Sequence, residues 1–155
     1  MQKVAFIDAD DTLWAVAVRG KRKKKRSVHV GIISECKPPF RLRDEVLIDS
    51  SGRCRVYLHP EARNVLRRLK DKGYATVVLS INYKEPVAEA IRAFNLPVDG
   101  AIADIDLNKD AVVETAQKVC KPEKIVVVDD MINYFDLPRD VEKYRNLSEV
   151  EEMLK

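Results

Sequence analysis

The sequence predicts an α/β fold with a central parallel sheet and a small hairpin insertion after the first strand. From residue 60 onward, short apolar runs alternate with helical patterns, as buried parallel strands alternate with the helices that connect them. Residues 15–58 interrupt this rhythm with turn signals between short runs. A chain of 155 residues suits one compact domain, so we expect a single domain over residues 1–155, with the insertion at about residues 15–58.

Four apolar runs are the predicted strands of the sheet, and three of them are rich in branched residues, as strands covered on both faces are. They comprise residues 4–7, 75–79, 101–103 and 125–128. Helical patterns with an apolar stripe lie between them, and another ends the chain. The signals for helix starts are Pro60, Asn108, and the pair of Ser148 and Glu151, which has the spacing of a capping box.

The insertion is predicted to consist of short hairpins. Apolar residues on both sides of "RGKRKKKRS" indicate a hairpin with this basic stretch at its tip. Two further turns, "CKPPF" and "DSSGR", follow, and short apolar runs at residues 46–48 and 55–58 flank the second turn.

The basic stretch dominates the charge of the chain. Seven of the 28 basic residues are Arg19 and residues 21–26, and the remaining 21 are outnumbered by 25 acidic residues. The sequence therefore predicts a mildly acidic domain with one cationic segment, rather than a surface that is basic throughout. We expect this segment to contact a polyanion, and the alternative is a solvated hairpin tip without a partner. Its residues are Lys21, Arg22, Lys23, Lys24, Lys25 and Arg26.

Three cysteines, Cys36, Cys54 and Cys120, are scattered along the chain without a C-x-x-C pair. Such a set argues against a zinc site and for a reducing compartment. The N-terminus leads directly into an apolar strand rather than a signal peptide, and no apolar run is long enough to cross a bilayer. We therefore expect a cytoplasmic protein without a membrane partner.

Polar side chains follow the predicted strands at their carboxyl ends. Asp8 and Asp10 follow the first strand, Ser80 the second, and Asp129 and Asp130 the last. Ligands of open α/β sheets bind beyond this edge, so we expect these side chains to meet there. Asp8 and Asp10 are two residues apart and would point to the same side of an extended strand, where both ionise only beside a cation. With Asp130 they predict an oxygen-only site suited to Mg²⁺.

Four short motifs in this order resemble those of the haloacid dehalogenase (HAD) superfamily of aspartate-nucleophile phosphotransferases. They are "DADDT" at residues 8–12, "TVVLS" ending at Ser80, Lys109 near a helix start, and "IVVVDD" at residues 125–130. Within the superfamily the chain is most similar to the magnesium-dependent phosphatase group, because Trp14 and "PPF" at residues 38–40 also match. The resemblance implies a Rossmann-like three-layer sandwich with a minimal cap. It also implies a phosphoric monoester hydrolase that acts on aryl or sugar phosphates.

The resemblance implies a role for each acidic residue. Asp8 would attack phosphorus and form an aspartyl-phosphate, and Asp10 would act as general acid and then as general base. The side chains of Asp8 and Asp130, with the backbone carbonyl of Asp10, would hold Mg²⁺. Asp129 would orient a metal-bound water or Lys109.

The polar residues between the acids would bind the substrate. By the same resemblance, Ser80 and Lys109 would stabilise charge on the transferring oxygens. The phosphatase group usually has an Arg directly after the serine of the second motif, whereas this chain has Ile81 and then Asn82. Asn82 is a further candidate for substrate binding, and the alternative is that it ends the strand. The substrate would be a small phosphomonoester or a phosphorylated macromolecule.

Two alternatives to a general phosphatase stay open. The basic run at residues 19–26 is compatible with a phosphatase acting on nucleic-acid ends, or with a protein that binds an anionic polymer. A receiver domain that accepts a phosphoryl group is also an α/β fold with acidic strand ends. It carries its acidic pair after the first strand and its acceptor on a middle strand, and the order of the motifs in this chain disfavours it.

Overall fold

The computed structural model describes residues 2–20 and 28–155, and these residues form two β-sheets and four α-helices. The strands are β1 (Lys3–Asp8), β2 (Trp14–Arg19), β3 (Val28–Gly31), β4 (Arg41–Arg43), β5 (Val46–Ile48), β6 (Cys54–Leu58), β7 (Tyr74–Ser80), β8 (Gly100–Ala103), β9 (Lys124–Val128) and β10 (Glu142–Tyr144). The helices are α1 (Ala62–Asp71), α2 (Lys84–Ala93), α3 (Lys109–Cys120) and α4 (Leu147–Met153).

The central sheet is parallel and has the strand order β10-β9-β1-β7-β8. This confirms the predicted α/β fold with a central parallel sheet. Strands β1, β7, β8 and β9 cover the four predicted apolar runs, and β10 is an additional strand at the edge. It escaped prediction because its three residues, "EKY", contain no apolar run.

The side chains of the central strands alternate between two hydrophobic clusters, which makes the molecule a Rossmann-like sandwich of three layers. Ala5 and Ile7 of β1 pack with α1, α2, α4 and the insertion, whereas Phe6 packs with α3 and residues 132–141. Because β1 and β9 are buried on both faces, they contain the near-continuous apolar runs that made them readable from sequence.

Strands β2 to β6 form the second sheet, which is antiparallel and has the order β3-β2-β6-β5-β4. The predicted pairings of β2 with β3 and of β5 with β6 are present. The predicted hairpin tip at residues 21–26 lies outside the described residues. In β3, only Gly31 is buried. A Cβ atom at this position would lie 2.5 Å from Cγ2 of Val18, so the close packing requires glycine.

The predicted helix starts are correct for α3, whereas α1 begins at Ala62, two residues after the predicted Pro60, and the cap of α4 differs. The side chain of Asn108 caps α3 by accepting a hydrogen bond from the N–H of Ala111, as predicted. The predicted cap of α4 at Ser148 is wrong, since Asn146 caps this helix by accepting from the N–H of Glu149, whose carboxylate accepts from the N–H of Arg145. Asparagine and serine cap helices about equally well, so the sequence alone does not decide between Asn146 and Ser148.

None of the helices within residues 2–20 and 28–155 is long and apolar enough to cross a membrane. Cys36, Cys54 and Cys120 are free thiols.

Candidate active site

A buried ion-pair cluster lies at the carboxyl edge of the central sheet. Asp8 ends β1 and Asp129 follows β9, and these strands pair with Ile7 opposite Val128. Nζ of Lys109, at the start of α3, lies 2.8 Å from Oδ1 of Asp8 and 2.6 Å from Oδ2 of Asp129. All three residues are buried. Burial alone would lower the pKa of Lys109, but the two carboxylates raise it above its ordinary value, so the lysine is a cation here.

Three carboxylates converge at this edge, each offering an oxygen within 4.8 Å of the others, and they belong to Asp8, Asp129 and Asp130. When all three are ionised, the single ammonium of Lys109 leaves two of their negative charges uncompensated. Burial raises the pKa of Asp8 to about 8, against the lowering effect of Lys109 and with a further rise from Asp129. An oxygen-only donor set with excess negative charge fits a hard divalent cation such as Mg²⁺.

The converging set differs from the predicted trio of Asp8, Asp10 and Asp130, because the carboxylate of Asp10 is directed elsewhere. Strand β1 ends at Asp8, and the N–H groups of Thr12 and Leu13 both donate to the carbonyl of Ala9. This tight turn breaks the two-residue alternation on which the prediction relied.

Asp10 is held by three donors. Its carboxylate accepts from Nε1 of Trp14 at 2.8 Å, from Nδ2 of Asn82 at 2.9 Å and from the N–H of Ile33 at 3.2 Å. Burial raises the pKa of Asp10 above its ordinary value, although these hydrogen bonds act in the opposite direction. Asp10 is therefore a half-buried carboxyl group with a fixed orientation, which is what a general acid requires.

Asn82 connects β7 with the insertion. Its Nδ2 donates to Asp10 and, at 2.7 Å, to Oγ of Ser80, while its Oδ1 accepts from the N–H and the hydroxyl of Ser34. These four bonds use the full hydrogen-bonding capacity of the amide. Asn82 and Ser80 are both buried.

The sequence analysis missed the insertion's part in this site. Ile33 and Ser34 are separated from their partners by 23 and 48 positions, and nothing in their local sequence marks them. Trp14 could have been found, since it follows Asp10 by one helical turn and a buried indole N–H requires an acceptor. The hydroxyl of Thr12, which donates to Oδ2 of Asp8 at 3.2 Å, lies within the first motif.

The site opens into a cavity of about 430 Å³. Three apolar residues that line it, Ile81, Met131 and Tyr134, are exposed to solvent. The other residues that line it are Asp8, Asp10, Asp11, Asn82, Lys109, Asp129, Asp130 and Phe135. The cavity therefore brings together every predicted site residue except Ser80, which lies behind Asn82.

The fold and the site define an α/β protein with an acidic cluster and a buried lysine at the carboxyl edge of its sheet. No family model matches the chain, and no curated protein matches it.

Two solved structures are similar to it. An uncharacterized protein from Listeria monocytogenes serotype 4b has a TM-score of 0.57 and 14% sequence identity, and the alignment covers 99% of this chain and 97% of that one. This similarity shows a shared fold over nearly the whole length. A protein from Streptomyces avermitilis MA-4680 described as a HAD family hydrolase has a TM-score of 0.47 and 20% identity. That alignment covers 81% of this chain and 55% of the other, so this chain spans about half its length.

Proposed function

We propose that this chain is a Mg²⁺-dependent phosphomonoester hydrolase that works through an aspartyl-phosphate on Asp8. The observation that supports it is the cluster of Asp8, Asp129 and Asp130 around the buried ammonium of Lys109. A phosphoryl group would add negative charge to a site that already has an excess of it. Such a site can bind a phosphate ester only together with a cation.

The donor set fits Mg²⁺, which is usually bound by one or two carboxylates and keeps several waters. Asp8 and Asp130 would hold it, together with the backbone carbonyl of Asp10. Asp129 is better suited to hold Lys109, because one of its oxygens accepts from Nζ and the other from the N–H of Met131 at 2.9 Å. When bound, the metal would neutralise charge on the transferring phosphoryl group and orient it.

The first half of the reaction would be carried by Asp8 and Asp10. A carboxylate oxygen of Asp8 attacks phosphorus, the bond from phosphorus to the leaving oxygen breaks, and Asp10 gives its proton to that oxygen. Lys109 holds Asp8 in position and stabilises charge on the phosphoryl oxygens. The three donors around Asp10 keep its carboxyl group in one orientation for the transfer.

The second half would restore the enzyme. Asp10, now a carboxylate, takes a proton from a water molecule whose oxygen attacks phosphorus. The bond from phosphorus to Asp8 breaks, inorganic phosphate leaves, and Asp8 is again a carboxylate. Ser80, fixed by Asn82, would bind a phosphoryl oxygen if its hydroxyl turned toward the cavity.

Hydrolysis of p-nitrophenyl phosphate tests the proposal. We expect activity that needs Mg²⁺ and is absent in excess chelator. Asp8→Asn should form no phosphoenzyme, whereas Asp10→Asn should lose about 10²- to 10⁴-fold in kcat while still forming one with this good leaving group. Asp71→Asn, an exposed aspartate at the end of α1, is the matched control and should retain full activity. Full activity in chelator, or a phosphoenzyme in Asp8→Asn, would contradict the mechanism.

A further inference from the structure

The antiparallel sheet of strands β2 to β6, which we call the insertion sheet, has an outer face that carries several arginine side chains. In β2, Trp14, Val16 and Val18 are buried, so the side chains between them point outward. Directly paired residues of antiparallel strands project on the same side, and the pairing runs from Ala17 to Arg55 and on through Ile48 of β5 to Arg41 of β4. We call this surface the arginine face; its arginines are Arg19, Arg41, Arg43, Arg53 and Arg55.

The charges of this face are not neutralised by the protein. Among the described residues, none of the five arginines forms a salt bridge. Three of them, Arg19, Arg53 and Arg55, line one shallow cavity of about 280 Å³ together with Tyr57, and no acidic residue lines it. Such a surface is complementary to a polyanion.

The arginine face also carries apolar and aromatic groups that a purely ionic partner would leave in water. Val28 and Val30 of β3 are 63% and 75% exposed, and Tyr57 is 44% exposed. Val30 pairs with Ala17 and Val28 with Arg19, so both valines border the arginines. An acidic peptide would satisfy the guanidinium groups alone, and a duplex keeps its bases inside. Single-stranded nucleic acid offers phosphates to arginines and base faces to tyrosine and valine.

A third cavity lies between the arginine face and the acidic cluster. This cavity of about 340 Å³ is lined on one side by Ala15 and Tyr57 of the outer face and on the other by Asp11 and Thr12. Tyr57 also lines the cavity of the arginine face, and Asp11 also lines the cavity of the candidate active site. The three cavities therefore adjoin one another through these shared residues, and we call this row of cavities the path.

We propose that the arginine face binds single-stranded nucleic acid and that the bound strand follows this path, with its terminal phosphate toward Asp8. The binding part stands on the geometry of the insertion sheet alone. The delivery of a terminal phosphate rests on the proposed function, and it names the substrate class of that site.

The binding part is tested by fluorescence anisotropy with a labelled oligothymidine of about 12 nucleotides that has no terminal phosphate. The variant is Arg19→Gln with Arg55→Gln. The matched control is Arg67→Gln with Lys70→Gln, which removes the same charge from exposed positions of α1. Residues 21–26 are unchanged in both proteins, so they cannot create a difference between them. Circular dichroism verifies that both are folded.

We expect the arginine variant to bind about tenfold more weakly at 0.1 M salt, with a slope of log K against log salt that is less steep by about 1.4. The control should bind like wild type. Tyr57→Ala should bind at least about fivefold more weakly, because it loses stacking on a base. Equal affinity of wild type and the arginine variant would overturn the proposal. So would competition by polyglutamate, anionic vesicles or duplex DNA that is as effective as competition by the unlabelled single strand.

The delivery part is tested by kcat/KM on oligothymidine carrying a 3′- or a 5′-phosphate, compared with p-nitrophenyl phosphate. The kcat/KM of the arginine variant should fall at least about fivefold on one of the two oligonucleotides and should be unchanged on p-nitrophenyl phosphate. Equal kcat/KM of wild type and variant on both oligonucleotides would refute delivery while leaving binding intact. If wild type hydrolyses none of the three esters, the proposed function and the delivery fail together, and the anisotropy result still decides the binding part.

Discussion

Replacing Asn82 with leucine is expected to destabilise the fold and to slow catalysis. Leucine has the branched shape of asparagine but a larger volume, so the change removes hydrogen bonds, opens no cavity and adds a cost of overpacking. Asn82 makes four bonds, of which one is to the carboxylate of Asp10, one to Ser80 and two to Ser34. The buried hydroxyl of Ser80 has no route to water, since the residue is fully buried.

The magnitude follows from the kinds of bond that are lost. A hydrogen bond to a charged group contributes about 1.5–3 kcal/mol, and a neutral one about 0.5–1.5 kcal/mol. The two bonds to Ser34 count for less, because this residue is half-buried and water can replace its lost partner. We therefore expect the free energy of unfolding to fall by about 3–5 kcal/mol. In a chain of this size that corresponds to a fall in Tm of roughly 6–20 °C.

Urea unfolding of Asn82→Leu, wild type and Asn64→Leu measures this difference. Asn64 is an exposed residue of α1, so its variant makes the same chemical change outside the network and should unfold like wild type. In the hydrolysis assay we expect kcat of Asn82→Leu to fall more than KM rises, because Asp10 loses one of the donors that orient it. An unfolding free energy within about 1 kcal/mol of wild type would refute the account of Asn82 as the connection between β7 and the insertion.

Two further substitutions test the buried charges. Lys109→Met leaves Asp8 and Asp129 buried without their cation, which should lower the free energy of unfolding by about 3–5 kcal/mol. Mg²⁺ should raise the Tm of this variant more than that of wild type. Equal shifts in Tm would argue against a metal bound by the acidic cluster. Burial opposes ionisation of Asp49, but bonds from the N–H of Lys37, the hydroxyl of Ser51 and the N–H of Cys54 outweigh it and lower the pKa of Asp49 below its ordinary 3.8. Its contribution is therefore present above pH 4 and lost as pH falls through the lowered pKa. Asp49→Asn should lower the free energy of unfolding by about 1–3 kcal/mol at pH 7, and urea titrations should show this difference from wild type shrinking at acid pH. A difference that stays constant down to pH 2 would contradict this origin.

The parts of the fold that could be predicted are those whose signal is local. Strands β1, β7 and β9 are buried on both faces, so their sequences are short apolar runs. The meeting of the residues at their carboxyl ends followed from one rule, that parallel strands end at the same edge. Strands β4 and β10 have three residues each and little burial, so hydrogen bonds to a neighbour define them rather than their own composition.

The orientation of Asp10 could not be predicted because it depends on contacts that are distant in sequence. A carboxylate two residues after Asp8 would share its side only if the strand continued, and the turn at Ala9 ends it. Ile33 and Asn82 then supply the partners from the insertion and from the loop after β7. The sequence indicates which acids lie at this edge, whereas the partners of Asp10 come from segments that are distant in sequence.

The alternation of a β-strand allows the insertion to serve two purposes independently. In β2 the inward side chains begin with Trp14, which donates to Asp10, and the outward ones end with Arg19 on the arginine face. Because neighbouring residues point to opposite sides, an outward substitution changes the surface offered to a partner while the indole of Trp14 keeps its bond. An inward substitution at Trp14 would remove that bond. The proposed binding of a strand and the proposed catalysis therefore depend on opposite faces of the insertion.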